Sequence, residues 1–392
     1  MSKANGEALP KVLIVDDEPF NVEYLVQELE DYGVESITGA NGQEALDQIE
    51  NEDPDVVLLD IMMPVMDGFE ALEKIKSNKA MRDIPVIVIS AMSDMEQIVK
   101  GIELGAEDYL PKPFDPVLLK ARLTASLEKK RLRDMEKTYF EGLERELEIG
   151  REIQAGFLPK DFPKINGWEF ANFFEAAREV SGDFFDVFEL PEGKIAVVLG
   201  DVTDKGVGAA LYMALYRSLI RVYLSSNSTS KDLSIPELLE STAKSSNDYV
   251  CQIHDSEKFL TAFISVLDPA TGELDYVSAG HDHPFLIDPD KVINEIEATG
   301  PAIGIIEGAD FKSEKIAITA GSTLLLYSDG ITDVQSEQED IFGADKLLSL
   351  VGKAQGSAKS LVESLVVETK TFMGEAKQFD DMTLMAISRE GD

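Results

Sequence analysis

Cysteine is all but missing from this chain of 392 residues. Cys251 stands alone, so no disulfide can close within the chain and no thiolate metal cluster can be built. Positive charge is also short. Lys and Arg number 36 against 74 Asp and Glu, a formal net charge of -38. Such a surface repels phosphate backbones and anionic membrane faces, so neither nucleic acid nor membrane is an expected partner. No apolar run approaches the roughly 18 residues of a membrane span. Met1–Leu9 is short and polar, unlike a signal peptide, so the expected compartment is the cytoplasm. What is present suffices for folding. The length suggests two or three domains, and 44% hydrophobic residues can fill their cores.

After a flexible start (residues 1–9), residues 10–124 alternate short apolar runs with amphipathic stretches. Val12–Val15, Val34–Thr38, Val56–Leu59, Val86–Ile89 and Asp108–Leu110 read as five strands. Helical patterns fall between them, for example Asn21–Tyr32 and Asp67–Ser77. This alternation predicts a doubly wound α/β domain on a five-stranded parallel sheet, with its site beyond the carboxyl ends of the strands. Those ends carry Asp16-Asp17, Asp60, Ser90 and Lys112-Pro113. Three crowded carboxylates need a counter-charge. Mg2+ and the Lys112 ammonium would supply it and leave Asp60 able to attack a phosphoryl group.

Val12-Leu-Ile-Val-Asp-Asp-Glu18, Leu58-Leu-Asp-Ile-Met-Met-Pro64 with Asp67-Gly68, Ser90-Ala91 and Asp108-Tyr-Leu-Pro-Lys-Pro113 resemble the receiver domain of two-component response regulators. The resemblance implies a flavodoxin-like fold with Asp60 as phospho-acceptor. It implies a Mg2+ shell of Asp16, Asp17, Asp60 and the Met62 carbonyl, and phosphoryl contacts from Ser90 and Lys112. Tyr109 would be the switch aromatic, and the Lys112–Pro113 bond would be cis. From the residues alone, Tyr109 is equally a half-buried strand residue. The implied partner is a histidine kinase or a phosphotransfer protein.

Residues 125–160 read as a long helical linker. Leu132, Met135, Tyr139, Phe140, Leu143 and Leu147 recur three or four apart among charges of both signs. A parallel homodimeric coiled coil and a single amphipathic helix packed on its own domains both fit. Gly142 and Gly150 are candidate soft points, and Phe157-Leu-Pro159 should end the rod.

From residue 161 to the end, neighbouring strand runs separate from helix pairs. The pattern predicts an α+β sandwich of antiparallel sheets flanked by helices. The run Ile195–Leu199 should stop at Gly200-Asp201, before a helix from about Ala209. Acids sit beside strands at Asp183, Asp201, Asp329 and Asp380-Asp381. An all-carboxylate set favours hard cations, Mg2+ or Mn2+, over zinc. Glycines beside Asp183, Asp201 and Asp329 suggest backbone passing close to a neighbour. His281 and His283 are candidate general acids, although a His in a Gly-rich turn more often orders backbone.

Glu148-Ile-Gly-Arg-Glu-Ile-Gln-Ala-Gly-Phe-Leu-Pro159, Arg178-Glu-Val-Ser-Gly-Asp-Phe-Phe-Asp186, Gly200-Asp-Val-Thr-Asp-Lys-Gly206, Ser278-Ala-Gly-His281, Tyr327-Ser-Asp-Gly330, Ile341-Phe-Gly343 and Asp380-Asp-Met-Thr383 resemble the PP2C-type serine phosphatases of bacterial stress and sporulation regulators. The resemblance implies two Mg2+ or Mn2+ ions. Asp201 would bridge them at the water site with the Val202 carbonyl nearby, Asp329 and Asp380 would hold one ion, and Asp183 the other. Asp381 is a second-choice ligand. Ser181 replaces a frequent Gly, and Thr203-Asp204 a frequent Ser-Gly. Glu179, beside Arg178, stands near the place where eukaryotic relatives carry a phosphate-holding arginine. The expected function is a phosphorylation-controlled, metal-dependent protein serine/threonine phosphatase acting on a phosphorylated anti-sigma-factor antagonist. The alternative is a catalytically idle adaptor that binds a sigma factor or its regulator.

Overall fold

A computed structural model describes residues 9–91, 95–228, 233–253, 258–352 and 357–391. All but Leu9 of the flexible start lies outside the described residues. The chain forms two compact units, Met1–Leu143 and Glu144–Asp392.

In the first unit, strands β1 (Lys11–Val15), β2 (Glu35–Gly39), β3 (Val56–Asp60), β4 (Val86–Ala91) and β5 (Asp108–Lys112) alternate with helices. These are α1 (Pro19–Glu30), α2 (Gly42–Glu52), α3 (Gly68–Ser77) and α4 (Met95–Glu103). The sheet is parallel throughout, in the order β2-β1-β3-β4-β5. Its strands read as continuous apolar runs because both faces are covered: Leu13, Val57 and Leu59 pack into one core, and Val12, Ile14 and Leu58 into another. Helix α2 is capped by Asn41, whose side chain accepts from Gln43 and Glu44 N–H, and α3 by Asp67, which accepts from Glu70 N–H.

Helix α5 (Pro116–Ala155) is one element of 40 residues that starts in the first unit and ends in the second. The sequence pattern separates a receiver end from a linker at residue 124; the helix continues through it because residues 117–155 contain no proline. Leu119 and Leu123 are buried near its start, whereas Leu132, Met135, Tyr139, Phe140 and Leu143 are exposed. Gly156 ends it, ahead of Pro159.

The second unit has two antiparallel sheets. One contains β7 (Phe184–Glu189), β8 (Ile195–Val202), β9 (Leu260–Leu267), β10 (Glu273–Ala279) and β13 (Glu314–Ala317), ordered β13-β10-β9-β8-β7. The other contains β6 (Trp168–Glu175), β11 (Phe285–Ile287), β12 (Ile293–Glu295), β14 (Thr323–Tyr327) and β15 (Met382–Arg389), ordered β12-β11-β14-β15-β6. Alternate residues Val197 and Leu199 meet Leu324, Leu326, Met385 and Ile387 between the sheets. Helices α6 (Val207–Asn227) and α7 (Ile235–Gln252) cover the outer face of the first sheet. Helices α9 (Ala344–Val351) and α10 (Ala358–Met373), with the short α8 (Asp329–Thr332), cover the second. Layers therefore run helix, sheet, sheet, helix, with polar ends of strands gathered at one edge of the sandwich.

One boundary differs from the sequence reading. Strand β8 does not stop at Gly200 but runs to Val202, because β9 pairs with it through Gly200↔Ala262, Asp201↔Thr261 and Val202↔Leu260. Asp201 is thus a strand residue, which fixes its backbone more firmly than a loop would. Helix α6 begins at Val207, earlier than the pattern suggested, after a Gly206 with φ of 83°. The short strands β12 and β13 were not legible as apolar runs.

Candidate functional site

In the first unit the strand ends converge as their topology requires. Lys112 Nζ lies 2.8 Å from Asp16 Oδ2 and 2.8 Å from Asp60 Oδ1. Asp16, Asp17 and Asp60 bring ligand atoms within 4.8 Å of one another, a spacing that fits a hard divalent cation. Burial raises the Asp60 pKa, and its bond to Lys112 pulls it back in part. Burial lowers Lys112, but its bonds to Asp16 and Asp60 outweigh this, and its pKa ends above the ordinary value. The Ser90 hydroxyl is buried with no protein partner, as a group facing an incoming phosphoryl oxygen would be. Tyr109 is half-buried, with the Arg122 guanidinium 4.8 Å over its ring. The Met62 side chain is exposed, and the Lys112–Pro113 bond is cis. A side chain at Gly68 could not be accommodated: its Cβ would lie 2.1 Å from the Asp60 carbonyl oxygen.

In the second unit, Asp183 precedes β7, Asp201 lies near the end of β8, Asp329 opens α8, and Asp380 precedes β15. Asp183 is fully buried; its Oδ2 accepts from Ser328 Oγ at 2.7 Å and from Thr383 Oγ1. Burial, then the charges of Asp201 and Asp381, raise its pKa well above the carboxylate range. Asp201 is pushed up to about 6, first by burial, while a hydrogen bond with Asp183 opposes the rise and Asp380, Asp381 and Asp282 add to it. Asp329 is pushed up to about 7 by burial and then by Asp201, Asp380, Asp282 and Asp333. Buried and half-buried carboxylates with raised pKa values fit hard divalent cations in donor chemistry.

Asp380 is differently placed. Its Oδ2 lies 2.9 Å from Lys205 Nζ, and the ammonium also rests 3.7 Å from the centre of the Phe379 ring. Among the described residues, the acids of this unit are not gathered as tightly as those of the first. Asp381 has its oxygens occupied by protein donors. Oδ1 accepts from Ala177 N–H at 2.7 Å, and Oδ2 from Ser181 Oγ at 2.7 Å and Gly182 N–H at 2.8 Å.

The glycines beside these acids do mark close approaches. An added Cβ at Gly182 would lie 2.6 Å from the Val202 carbonyl, and one at Gly330 only 1.9 Å from the Asp381 carbonyl. At Gly200 it would lie 2.8 Å from Leu260 and Phe184. His281 is buried, bonded through Nδ1 to Thr261 Oγ1 at 3.1 Å. Burial lowers its pKa to about 4, so it is neutral at pH 7 and poorly suited to act as a general acid there. Sequence reasoning did not single out Lys205 or Asp282. Both lie inside quoted motifs or next to them, and their proximity to the acids depends on tertiary folding.

Residues 12–124 match the response regulator receiver domain family, and residues 191–390, just over half of the chain, match the Stage II sporulation protein E (SpoIIE) family. Protein IcfG of Synechocystis sp. is 34% identical over 262 residues, 62% of this chain and 41% of that protein. The probable transcriptional regulator ycf27 of Guillardia theta is 43% identical over 121 residues, 31% of this chain and 46% of that protein. The chain thus spans less than half the length of either relative. The SiaA-PP2C domain of Pseudomonas aeruginosa aligns with a TM-score of 0.55 at 18% identity, over 64% of this chain and 98% of that one, a likeness of fold. No helix among the described residues is long and apolar enough to cross a membrane. The chain belongs to the SpoIIE family of PP2C-type phosphatase domains, here joined to a response regulator receiver domain.

Proposed function

We propose that this chain is a metal-dependent protein serine/threonine phosphatase controlled by phosphorylation of its receiver on Asp60. The observation that carries the reading is the convergence of Asp183, Asp201 and Asp329 from distant parts of the sequence into one set with raised pKa values, Asp183 buried and the other two half-buried. A fold gains nothing in stability from such a set; a site for cations and phosphate does.

In the receiver, Asp60 takes a phosphoryl group from a histidine kinase or a phosphotransfer protein. Asp16, Asp17, Asp60 and the Met62 carbonyl hold Mg2+, Ser90 and Lys112 contact the phosphoryl oxygens, and Tyr109 reports the change. In the output domain, Asp183, Asp201, the Val202 carbonyl, Asp329 and Asp380 hold two Mg2+ or Mn2+ ions. Such ions, when bound, acidify a water and neutralise phosphoryl oxygens. Ser328 and Thr383 orient Asp183, and Asp381 holds the loop before it instead of serving as a ligand. The substrate is a phosphoserine protein; the resemblance of the motifs favours an anti-sigma-factor antagonist in a partner-switching pathway. A homodimer through α5 completes the reading.

The decisive test is Mn2+-dependent phosphate release from a phosphoserine protein, with and without a phosphoryl mimic on the receiver and with Asp201→Asn as control. Release that the control abolishes and the mimic alters supports the enzyme and gives the sign of the switch. No release from folded, metal-saturated protein sinks it. The adaptor reading would then gain from one feature already described, the engagement of Asp380 by Lys205.

A further inference from the structure

Glutamine is rarely buried unless its amide is satisfied. Gln154, in the last turn of α5, is only 9% exposed. Its Nε2 donates to the Ser181 carbonyl at 2.7 Å, and its Oε1 accepts from the Ser181 N–H at 2.9 Å. One side chain thus takes both backbone groups of one residue, as a neighbouring strand would. One turn earlier on the same face, Gly150 stands against Val180: a Cβ there would lie 3.8 Å from Val180 Cγ1. Gly150 is therefore a packing position as well as a candidate soft point.

Ser181 is also held from the opposite direction. Its hydroxyl donates to Asp381 Oδ2 and accepts from the Asp183 N–H at 3.0 Å. The segment 177–183 is fixed on one side by α5 and on the other by the residue preceding β15. It ends at Asp183, whose carboxylate faces Asp201.

We infer that Gln154 is a positioning residue for the cation site: it ties the last turn of α5 to the loop that places Asp183. The inference rests on the reading of Asp183 as a metal ligand. A helix end could pack against this loop more simply with an apolar side chain. The reciprocal amide pair instead fixes the loop's register along the helix, so a shift of α5 is felt two residues from the carboxylate. Groups that orient metal ligands in this way typically change metal affinity by about 10–100-fold when replaced.

The test uses the full-length chain carrying Asp17→Asn, which removes the receiver's cation site. Mn2+ binding is titrated by calorimetry in this parent, in Gln154→Met and in Gln154→Glu, with a thermal melt of each. Met keeps the length without hydrogen bonds; Glu keeps the acceptor but opposes the Ser181 carbonyl. The expected result is Mn2+ affinity weaker by about tenfold in both variants, with the folded fraction unchanged at the titration temperature. Parent-like affinity in the folded variants overturns the inference, because a merely structural amide lowers the melting temperature without moving affinity. Failure of both variants to fold overturns it too, since Gln154 is then a residue of the fold. If the parent itself binds no Mn2+, the phosphatase reading falls first, and this inference with it.

Discussion

Lys205 Nζ lies 2.9 Å from Asp380 Oδ2, so an ammonium neighbours the carboxylate that is proposed to hold a divalent cation. On the proposal that Asp380 holds a cation, the pair competes with metal binding. Both side chains are partly exposed, and a pair of this kind is worth under about 1 kcal/mol. Lys205→Met should therefore tighten Mn2+ binding roughly two- to fivefold. The half-saturating Mn2+ concentration for phosphate release measures it. An unchanged or weaker affinity would mean that Lys205 does not compete for Asp380.

The glycines permit a test of opposite signs within one chain. Gly330→Ala would push a Cβ to 1.9 Å from the Asp381 carbonyl oxygen, a backbone atom that cannot swing aside. A loss of roughly 3 kcal/mol of stability and of phosphatase activity is expected. Gly142 lies in the interior of α5 with nothing within 4 Å of its added Cβ. Gly142→Ala should stabilise the helix by about 1 kcal/mol. Denaturant melts of the two variants decide both.

The order of the longer helices and strands in each unit was legible because apolar runs of the right length alternate with turn residues, whereas the short β12 and β13 gave no such run. The receiver's charged set was legible too: in a parallel sheet, residues at strand ends share one edge whatever the sequence between them. The second site was legible as motifs but not as geometry. Nothing in the spacing of Asp380 and Asp381 tells which one meets a cation. The difference between them appears only in the donors from Ala177, Ser181 and Gly182 that bond Asp381. Strand β8 passing through Asp201 was hidden by Gly200, which reads as a stop signal. The glycine is there because Leu260 and Phe184 crowd the strand. Gln154 lies inside a quoted motif, but its role was not legible because its partners are backbone atoms of a distant loop.

The raised carboxylates give a pH dependence of defined sign. Asp329 and Asp201 hold protons more tightly folded, at about 7 and about 6, than at the ordinary 3.8. Between these values the folded chain binds more protons, so metal-free stability falls as pH rises from about 4 to 7. The contribution is fully present below the ordinary value and lost above the folded one. Asp329→Asn should raise metal-free stability at pH 8 by an amount on the order of 2 kcal/mol and leave it unchanged near pH 4. Thermal melts in chelator across this range are the check. Added Mn2+ at pH 8 should narrow the gap, because the cation does for wild type what the substitution does for the variant.

One face of α5 is apolar and exposed. Leu132, Met135, Tyr139, Phe140 and Leu143 lie within three turns, and Tyr139 is 70% exposed. Spacings of three and four place most of them on one stripe, the pattern of a two-helix seam. A lone helix gains nothing from such a stripe in water, whereas a second copy would bury it. Replacing both Leu143 and Leu147 with Asp should convert a dimer to a monomer by light scattering, with the melting transitions of both units retained. If the linker also transmits the receiver's state, four glycines inserted after Met135 should abolish the response to a phosphoryl mimic and leave basal release intact. A dimer that survives the aspartates assigns the seam to another surface. A response that survives the glycines separates dimerisation from control, leaving the receiver to act on the output domain without a continuous helix.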